Sequence, residues 1–240
     1  MTRTYEVVTF DCYGTLIDWQ SGIREAFAAA AARLGRTVDL DRAVALYLEI
    51  EPTVEAGPYQ SYRAILGETA RRVAALLDWP LSDSQAGFLA ESVPSWRPFP
   101  DTNRGLRRLA EAGYQLGILS NIDDDLLAWT RRHFAAPFEF VVTAQQVRSY
   151  KPAPPHFVAA RALIGARPWL HAAQSYFHDV VPARALGIPV AWINRTGRAP
   201  SGQSRPDVTL GNLTDLADWL DSDVRLDRLS GAAYKEPTRH

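Results

Sequence analysis

Residues 7–16 read Val7-Val8-Thr9-Phe10-Asp11-Cys12-Tyr13-Gly14-Thr15-Leu16. The β-rich run from Glu6 to Phe10 favours a short strand. It stops at an acid, and Gly14 then punctuates a loop. A carboxylate placed there sits exposed at a sheet edge, where backbone N–H groups can approach it. It can attack an electrophilic carbon or phosphorus and form a covalent intermediate. Taken alone, Asp11 reads equally well as a helix N-cap or a turn residue.

Working outward, Ile23 to Leu34 is Ala-rich with helical apolar spacing, and Gly35 closes it. Residues 37–92 predict helices over Asp41–Glu51, Tyr59–Leu77 and Ser84–Ser92, with Pro52, Gly57 and Pro58 breaking the first from the second. No strand signal occurs there, which suggests a helical insert. The connector Pro94-Ser95-Trp96-Arg97-Pro98-Phe99-Pro100 marks its end. Strands are then expected at Gln115–Leu119, Phe140–Thr143, Ala173–Phe177 and Val190–Ile193. They alternate with helical segments at Thr102–Ala112, Leu126–Phe134, His156–Leu163, Pro182–Leu186 and Leu213–Leu220. This alternation predicts an α/β fold, a doubly wound parallel sheet with right-handed crossovers. The expected layout is a Rossmann-like core of residues 1–15 and 98–225, a helical cap of 16–97 and a tail of 226–240. Ligands of such sheets bind at the carboxyl ends of the strands. Asp11, Ser120-Asn121 and Asp179 are all expected there.

The chain has 240 residues, 47% hydrophobic and 22% charged, enough for a globular core. A formal net charge of −1 gives no electrostatic case for nucleic acid or an acidic membrane surface. Cys12 is the only cysteine, so an internal disulfide and a Cys-based zinc site are excluded. Beside Asp11 it reads as a small packing residue. His133, His156 and His171 lack metal-like spacing. No signal-peptide pattern or bilayer-length apolar run is present, so a cytoplasmic protein is expected.

Four segments in order carry a resemblance. Phe10-Asp11-Cys12-Tyr13-Gly14-Thr15-Leu16, Ser120-Asn121 after Leu116-Gly117-Ile118-Leu119, Lys151 in Ser149-Tyr150-Lys151-Pro152, and Asp179 in His178-Asp179-Val180-Val181 resemble the four motifs of the haloacid dehalogenase-like superfamily. The helical insert resembles that family's cap. The resemblance implies Asp11 as nucleophile, Lys151 as its counter-charge and Asp179 as the base that activates water. It implies substrate-facing roles for Tyr13, Thr15, Trp19, Ser120, Asn121 and His178. Phosphatase members usually carry a second Asp two residues after the nucleophile, as an acid for the leaving alcohol. Tyr13 stands there, which resembles the (S)-2-haloacid dehalogenase branch. The implied substrate is a small carboxylic acid, with no cofactor. A Mg²⁺-dependent phosphatase, with Asp11 and Asp179 as metal ligands, remains an alternative, as does a non-catalytic binding module on this fold. Dimers are common for this kind of cap.

The sequence also departs from the dehalogenase pattern. No Arg lies between Arg42 and Arg63, where the family carries one on its first cap helix. His178-Asp179 and the segment around Trp19 resemble more closely a sister group that includes an azetidine-2-carboxylate hydrolase. There, His178 and the cap carboxylates Glu49 and Glu51 would lie near a cationic amine, or the two acids form a solvated helix face. Trp19 and Trp96 are candidate walls of an apolar pocket, with core or hinge packing the stronger expectation for Trp96.

Overall fold

The computed structural model describes residues 3–231. Among them, β1 (Val7–Phe10), β2 (Gln115–Ser120), β3 (Phe140–Thr143), β4 (Trp169–Ala173), β5 (Val190–Ile193) and β6 (Val208–Leu210) form one sheet in the order β3-β2-β1-β4-β5-β6. Every pairing is parallel. The strand order reverses beside β1, and a doubly wound sheet opens its ligand crevice at such a point. β1 and β4 are buried along their whole length, as strands covered on both faces should be.

The cap comprises α1 (Trp19–Arg33), α2 (Leu40–Glu55), α3 (Tyr62–Leu76), α4 (Asp83–Ala86) and α5 (Phe88–Ser92). Asp18, Asp39 and Ser61 cap the first three through side-chain oxygens that accept early backbone N–H groups. The two ends of the insert are pinned together. Asp18 N–H donates to the Arg97 carbonyl (2.9 Å), and Phe99 N–H to that of Leu16 (3.0 Å). Trp96 packs flat on α1, where any side chain larger than hydrogen at Gly22 would collide with its indole. The cap is also fastened at its far side. The buried Asp123 carboxylate accepts the backbone N–H groups of Tyr62 and Arg63, both at 2.9 Å, at the start of α3.

The core continues with α6 (Thr102–Glu111), α7 (Asp124–Thr130), α8 (Ala144–Val147), α9 (Pro155–Ile164), α10 (Val181–Ala185) and α11 (Leu213–Gly231). Three sequence expectations need correction. Pro52 does not end α2. It lies inside the helix, which runs on to Glu55. The carbonyl left without its usual donor belongs to Leu48, an exposed residue, so water can satisfy it. The strand expected at 173–177 lies four residues earlier, over Trp169–Ala173, and Tyr176–Val180 is a π-helical turn capped by Ser175. His171 in mid-strand masked the strand's apolar character. Asp179 therefore sits in a turn beyond the strand end. Finally, α11 continues through 226–231 of the expected tail, and residues 232–240 lie outside those described.

Candidate active site

The register brings separate motifs to one level. Phe10 pairs with Ile118 of β2 and Ala172 of β4, so the chain leaves the sheet at Asp11 between the ends of both neighbours. Asp11 N–H still donates to the Ala172 carbonyl (3.2 Å). Lys151, from the loop between α8 and α9, is buried beneath it. All three ammonium protons are committed: to Asp11 Oδ1 (3.0 Å), Asp179 Oδ1 (2.7 Å) and the Leu119 carbonyl (2.8 Å). Burial alone would strip Lys151 of its proton, but the two carboxylates hold its pKa above the ordinary value.

One cation shared by two carboxylates is shared unequally. Burial pushes Asp11 upward, Lys151 opposes this, and the charge on Asp179 adds to the rise. Burial also acts on Asp179, yet Lys151 and a hydrogen bond from His171 outweigh it and hold Asp179 well below the carboxylate range. Asp179 is therefore ionised at neutral pH. Its Oδ1 accepts from both Lys151 and His171, while buried Oδ2 has no protein partner. That free acceptor suits a base for water. The other Asp11 oxygen, Oδ2, accepts from Thr15 Oγ1 (2.8 Å), which in turn accepts from Gln174 N–H (2.8 Å).

His171 was given no role by sequence spacing. It stands fully buried behind Asp179, at the end of a line of hydrogen bonds. The Trp169 indole can only donate, to Thr9 Oγ1 (2.6 Å). Thr9 Oγ1 is hydrogen-bonded to His171 Nδ1 (2.9 Å), and His171 Nε2–H donates to the ionised Asp179 Oδ1 (2.9 Å). The imidazole is an oriented donor, and His171 is a positioning residue. His171→Phe is expected to lower turnover roughly 10–100-fold through misplacement of Asp179. It should also raise the pKa of Asp179, which loses a donor that lowers it, as read by carboxyl NMR titration. His171→Gln, which can still donate, should restore much of both.

Asp11, Lys151 and Asp179 line a cavity of about 450 Å³ between the sheet edge and the cap. Tyr13, Trp19, Tyr47 and Trp96 form its aromatic wall, with Trp19 and Tyr47 packed at 5.7 Å between ring centroids and Tyr13 edge-on to Trp96 at 5.8 Å. The Tyr13 hydroxyl turns away to Thr130 Oγ1 (2.7 Å), and burial drives its pKa well above 10. Ser120 Oγ is buried and unpartnered, so it can bind a substrate oxygen. Thr15 holds Asp11 and is not among the cavity-lining residues. Asn121 lines the cavity, and both its amide protons are committed. Oδ1 accepts Lys151 N–H (2.7 Å), and Nδ2 donates to the Lys151 carbonyl (3.0 Å) and to Glu55 Oε1 (2.9 Å). The Lys151 backbone thus fixes which end of the amide is which.

The cap side of the cavity carries Glu51 and Glu55, one helical turn apart on α2. Glu49, the other acid named from sequence, is exposed on a different face. Glu55 escaped notice because Pro52 was read as a stop; its spacing from Glu51 was the available signal. His178 lines the cavity beside Glu55, with Nε2 3.8 Å from Oε2. Burial lowers its pKa, so it is neutral at pH 7.

The donor set does not fit a magnesium ion. The Lys151 ammonium already neutralises Asp11 and Asp179 through one oxygen of each. The phosphatase-type second carboxylate is replaced by a phenol that remains protonated. Among the described residues, no group of three or more His, Cys, Asp or Glu side chains is placed to hold a metal. Nor is any described helix long and apolar enough to cross a membrane.

A family model described as haloacid dehalogenase-like hydrolase matches residues 5–170. The chain is 26% identical over 225 residues to (S)-2-haloacid dehalogenase H-109 of Pseudomonas putida, covering 90% of this chain and 97% of that protein. Among solved structures, an L-2-haloacid dehalogenase superposes with a TM-score of 0.78 at 26% identity, over 92% of this chain and 100% of the other. A defluorinating L-2-haloacid dehalogenase gives 0.76, also at 26% identity, over 90% and 95%.

Proposed function

This chain belongs to the haloacid dehalogenase-like hydrolase family, and from that premise we propose that it hydrolyses small (S)-2-haloalkanoic acids at the α-carbon. The observation that carries this reading is the Asp11–Lys151–Asp179 cluster at the base of an aromatic-walled cavity, with Tyr13 where a phosphatase would hold its acid. Asp11 attacks the α-carbon in line and displaces halide, which forms an ester. Water that gives its proton to Asp179 adds to the Asp11 carbonyl carbon and releases a 2-hydroxy acid of inverted configuration. Ser120 and backbone groups at the sheet edge receive the substrate carboxylate. The aromatic wall keeps water from the first attack. The core of 1–15 and 98–225 holds the nucleophile, and the cap of 16–97 closes over it.

Asp11 acts ionised, and its pKa is raised. The rate should therefore increase with pH through an acid limb above the ordinary carboxylate range. The test is incubation with (S)-2-chloropropionate, followed by chloride release and product chirality, with and without EDTA. Release of chloride with (R)-lactate, insensitive to EDTA, is expected. Absence of chloride release by intact protein would sink the reading.

One observation favours a second leaving group. The cap presents Glu51 and Glu55 where the resembling dehalogenases carry an Arg, and acids suit a cationic amine. Hydrolytic opening of azetidine-2-carboxylate is then the alternative, detected as a new primary amine.

A further inference from the structure

Tyr47, Glu51 and Glu55 follow one another at four-residue spacing on α2 and form one stripe along the cap side of the cavity. The stripe holds two acids and no base to match them. Among the described residues, neither acid forms an ion pair with a Lys or Arg. His178, neutral at pH 7, lies 3.8 Å from Glu55 Oε2, too long for a hydrogen bond. Asn121 donates to Glu55 Oε1 (2.9 Å) and Tyr62 to Glu51 Oε1 (3.1 Å), so the second oxygen of each acid has no hydrogen-bond partner. The Glu55 side chain is only 9% exposed. The other charges of the cavity do not compensate the pair. Lys151 is shared by Asp11 and Asp179, Arg195 is committed to Asp101 and the Thr15 carbonyl, and Arg198 is exposed. Sheltered carboxylates without a cation are costly, more so in a cavity that must receive an anionic substrate.

The walls around the acids suit a cation. The Tyr47 and Tyr62 hydroxyls are 3.3 Å apart, and Trp19 packs on Tyr47 at 5.7 Å between ring centroids. Aromatic faces attract an ammonium that carboxylates hold by hydrogen bonds. A separate observation on the core side points to the other end of the same ligand. Ser120 Oγ is fully buried, lines the cavity and has no partner, so it can bind a ligand oxygen. We propose that Glu51 and Glu55, with Trp19, Tyr47 and Tyr62, form a subsite for an ammonium group on the substrate, which makes the preferred substrate a 2-haloalkanoate with an amino group on its chain. This assignment deepens the α-carbon hydrolysis proposed above and rests on it. It differs from ring opening, because the ammonium is not the leaving group and stays on the product. No bond to nitrogen changes: Asp11 displaces halide and water cleaves the ester as before. A cation held there also offsets the repulsion that two acids would exert on a departing halide.

Proton linkage gives the subsite a signature. Burial and the charge of Glu51 raise the Glu55 pKa to about 8, against the Asn121 hydrogen bond and the charge of Lys151. Burial raises Glu51 as well. The phenols of Tyr47, Tyr62 and Tyr150 face the pair with pKa values raised by burial and stay neutral, and His178 stays neutral because burial lowers its pKa. At pH 7 Glu55 therefore carries a proton. An ammonium beside it favours the charged carboxylate, so binding releases that proton to solution.

Two unreactive ligands supply the test, (R)-4-amino-2-hydroxybutanoate and (R)-2-hydroxypentanoate, which carry ammonium and methyl at the same place. Titration calorimetry at pH 7 in buffers of different ionisation enthalpy reads affinity and proton release together. Wild-type protein should bind the amino ligand at least ~10-fold more tightly. It should release most of one proton with that ligand and none with the other. In the Glu51→Gln/Glu55→Gln double variant the amide oxygens can still accept from Tyr62 and Asn121, but the preference and the proton release should both vanish. Equal binding of the two ligands by wild type, binding of neither, or a preference that survives in the double variant overturns the proposal and leaves the α-carbon reading intact. Turnover tests that reading separately. Chloride release from (S)-4-amino-2-chlorobutanoate, corrected for the spontaneous reaction, should exceed that from (S)-2-chloropentanoate at least ~10-fold in kcat/KM. Equal values overturn the proposal. Chloride release from neither substrate, with the binding preference present, sinks the α-carbon reading and retains the ammonium subsite.

Discussion

Asp11→Asn is expected to lower dehalogenation by at least ~10⁴-fold, since removal of a covalent nucleophile removes the pathway rather than one of its supports. The fold should survive. The amide is nearly isosteric with the carboxylate; its oxygen can still accept from Lys151, and its NH2 can donate to Thr15 Oγ1 once that hydroxyl turns. The same assignment makes an isotopic prediction for the wild type. In a single turnover in ¹⁸O water with excess enzyme, the product hydroxyl oxygen comes from the Asp11 carboxylate, so the product is unlabelled and the label enters Asp11. Mass spectrometry of the peptide that contains Asp11 reads this directly. Label in the first-turnover product would instead mean direct attack by water. Asp11 would then be a base, and the variant's loss would need another explanation.

The candidate nucleophile is legible in the sequence for a physical reason. A run of β-formers that ends abruptly in an acid and a Gly leaves few structures open, and Gly14 does adopt φ = 96°, a conformation that side chains resist. Lys151 and Asp179 were legible only together with that segment. What converges here, one lysine with all its protons committed, depends on contacts between residues 140 and 28 positions apart. The helical cap was visible in bulk, from spacing and the lack of strand formers.

What was hidden was hidden by local rules that tertiary contacts override. Pro52 usually ends a helix, yet α2 continues for three more residues and delivers Glu55 to the cavity. His171 broke the apolar character of β4 because it is buried for its hydrogen bonds, to Thr9 and Asp179, and not for hydrophobicity. The resemblance implies a substrate-facing role for Asn121. Both its amide protons go to the Lys151 carbonyl and Glu55, which no one-dimensional reading could count. The edge strand β6 is three residues long and only partly buried, too short for a periodic signal.

Lys151→Met is expected to have the second-largest effect, and unlike Asp11→Asn it should damage stability as well. The side chain is 1% exposed, so methionine fills much of its volume, but two buried carboxylates lose their shared cation. Removing one partner of such a network typically costs about 3–5 kcal/mol. The pH dependence separates this cause from a packing defect. Without Lys151, burial and mutual repulsion raise the pKa of both Asp11 and Asp179 above their unfolded values. The folded variant then binds more protons than the unfolded chain, so its stability falls as pH rises through those pKa values and recovers as pH falls. In the wild type the depressed Asp179 acts in the opposite sense: its contribution is present above the unfolded carboxylate pKa and is lost on acidification. The stability difference between the two proteins should therefore narrow towards pH 4–5 and widen towards pH 8, as measured by denaturant titration at each pH. A difference independent of pH would mean that the loss comes from packing alone. Turnover at pH 7 should fall about 10³-fold or more in the same variant, because Asp11 then holds a proton and cannot attack.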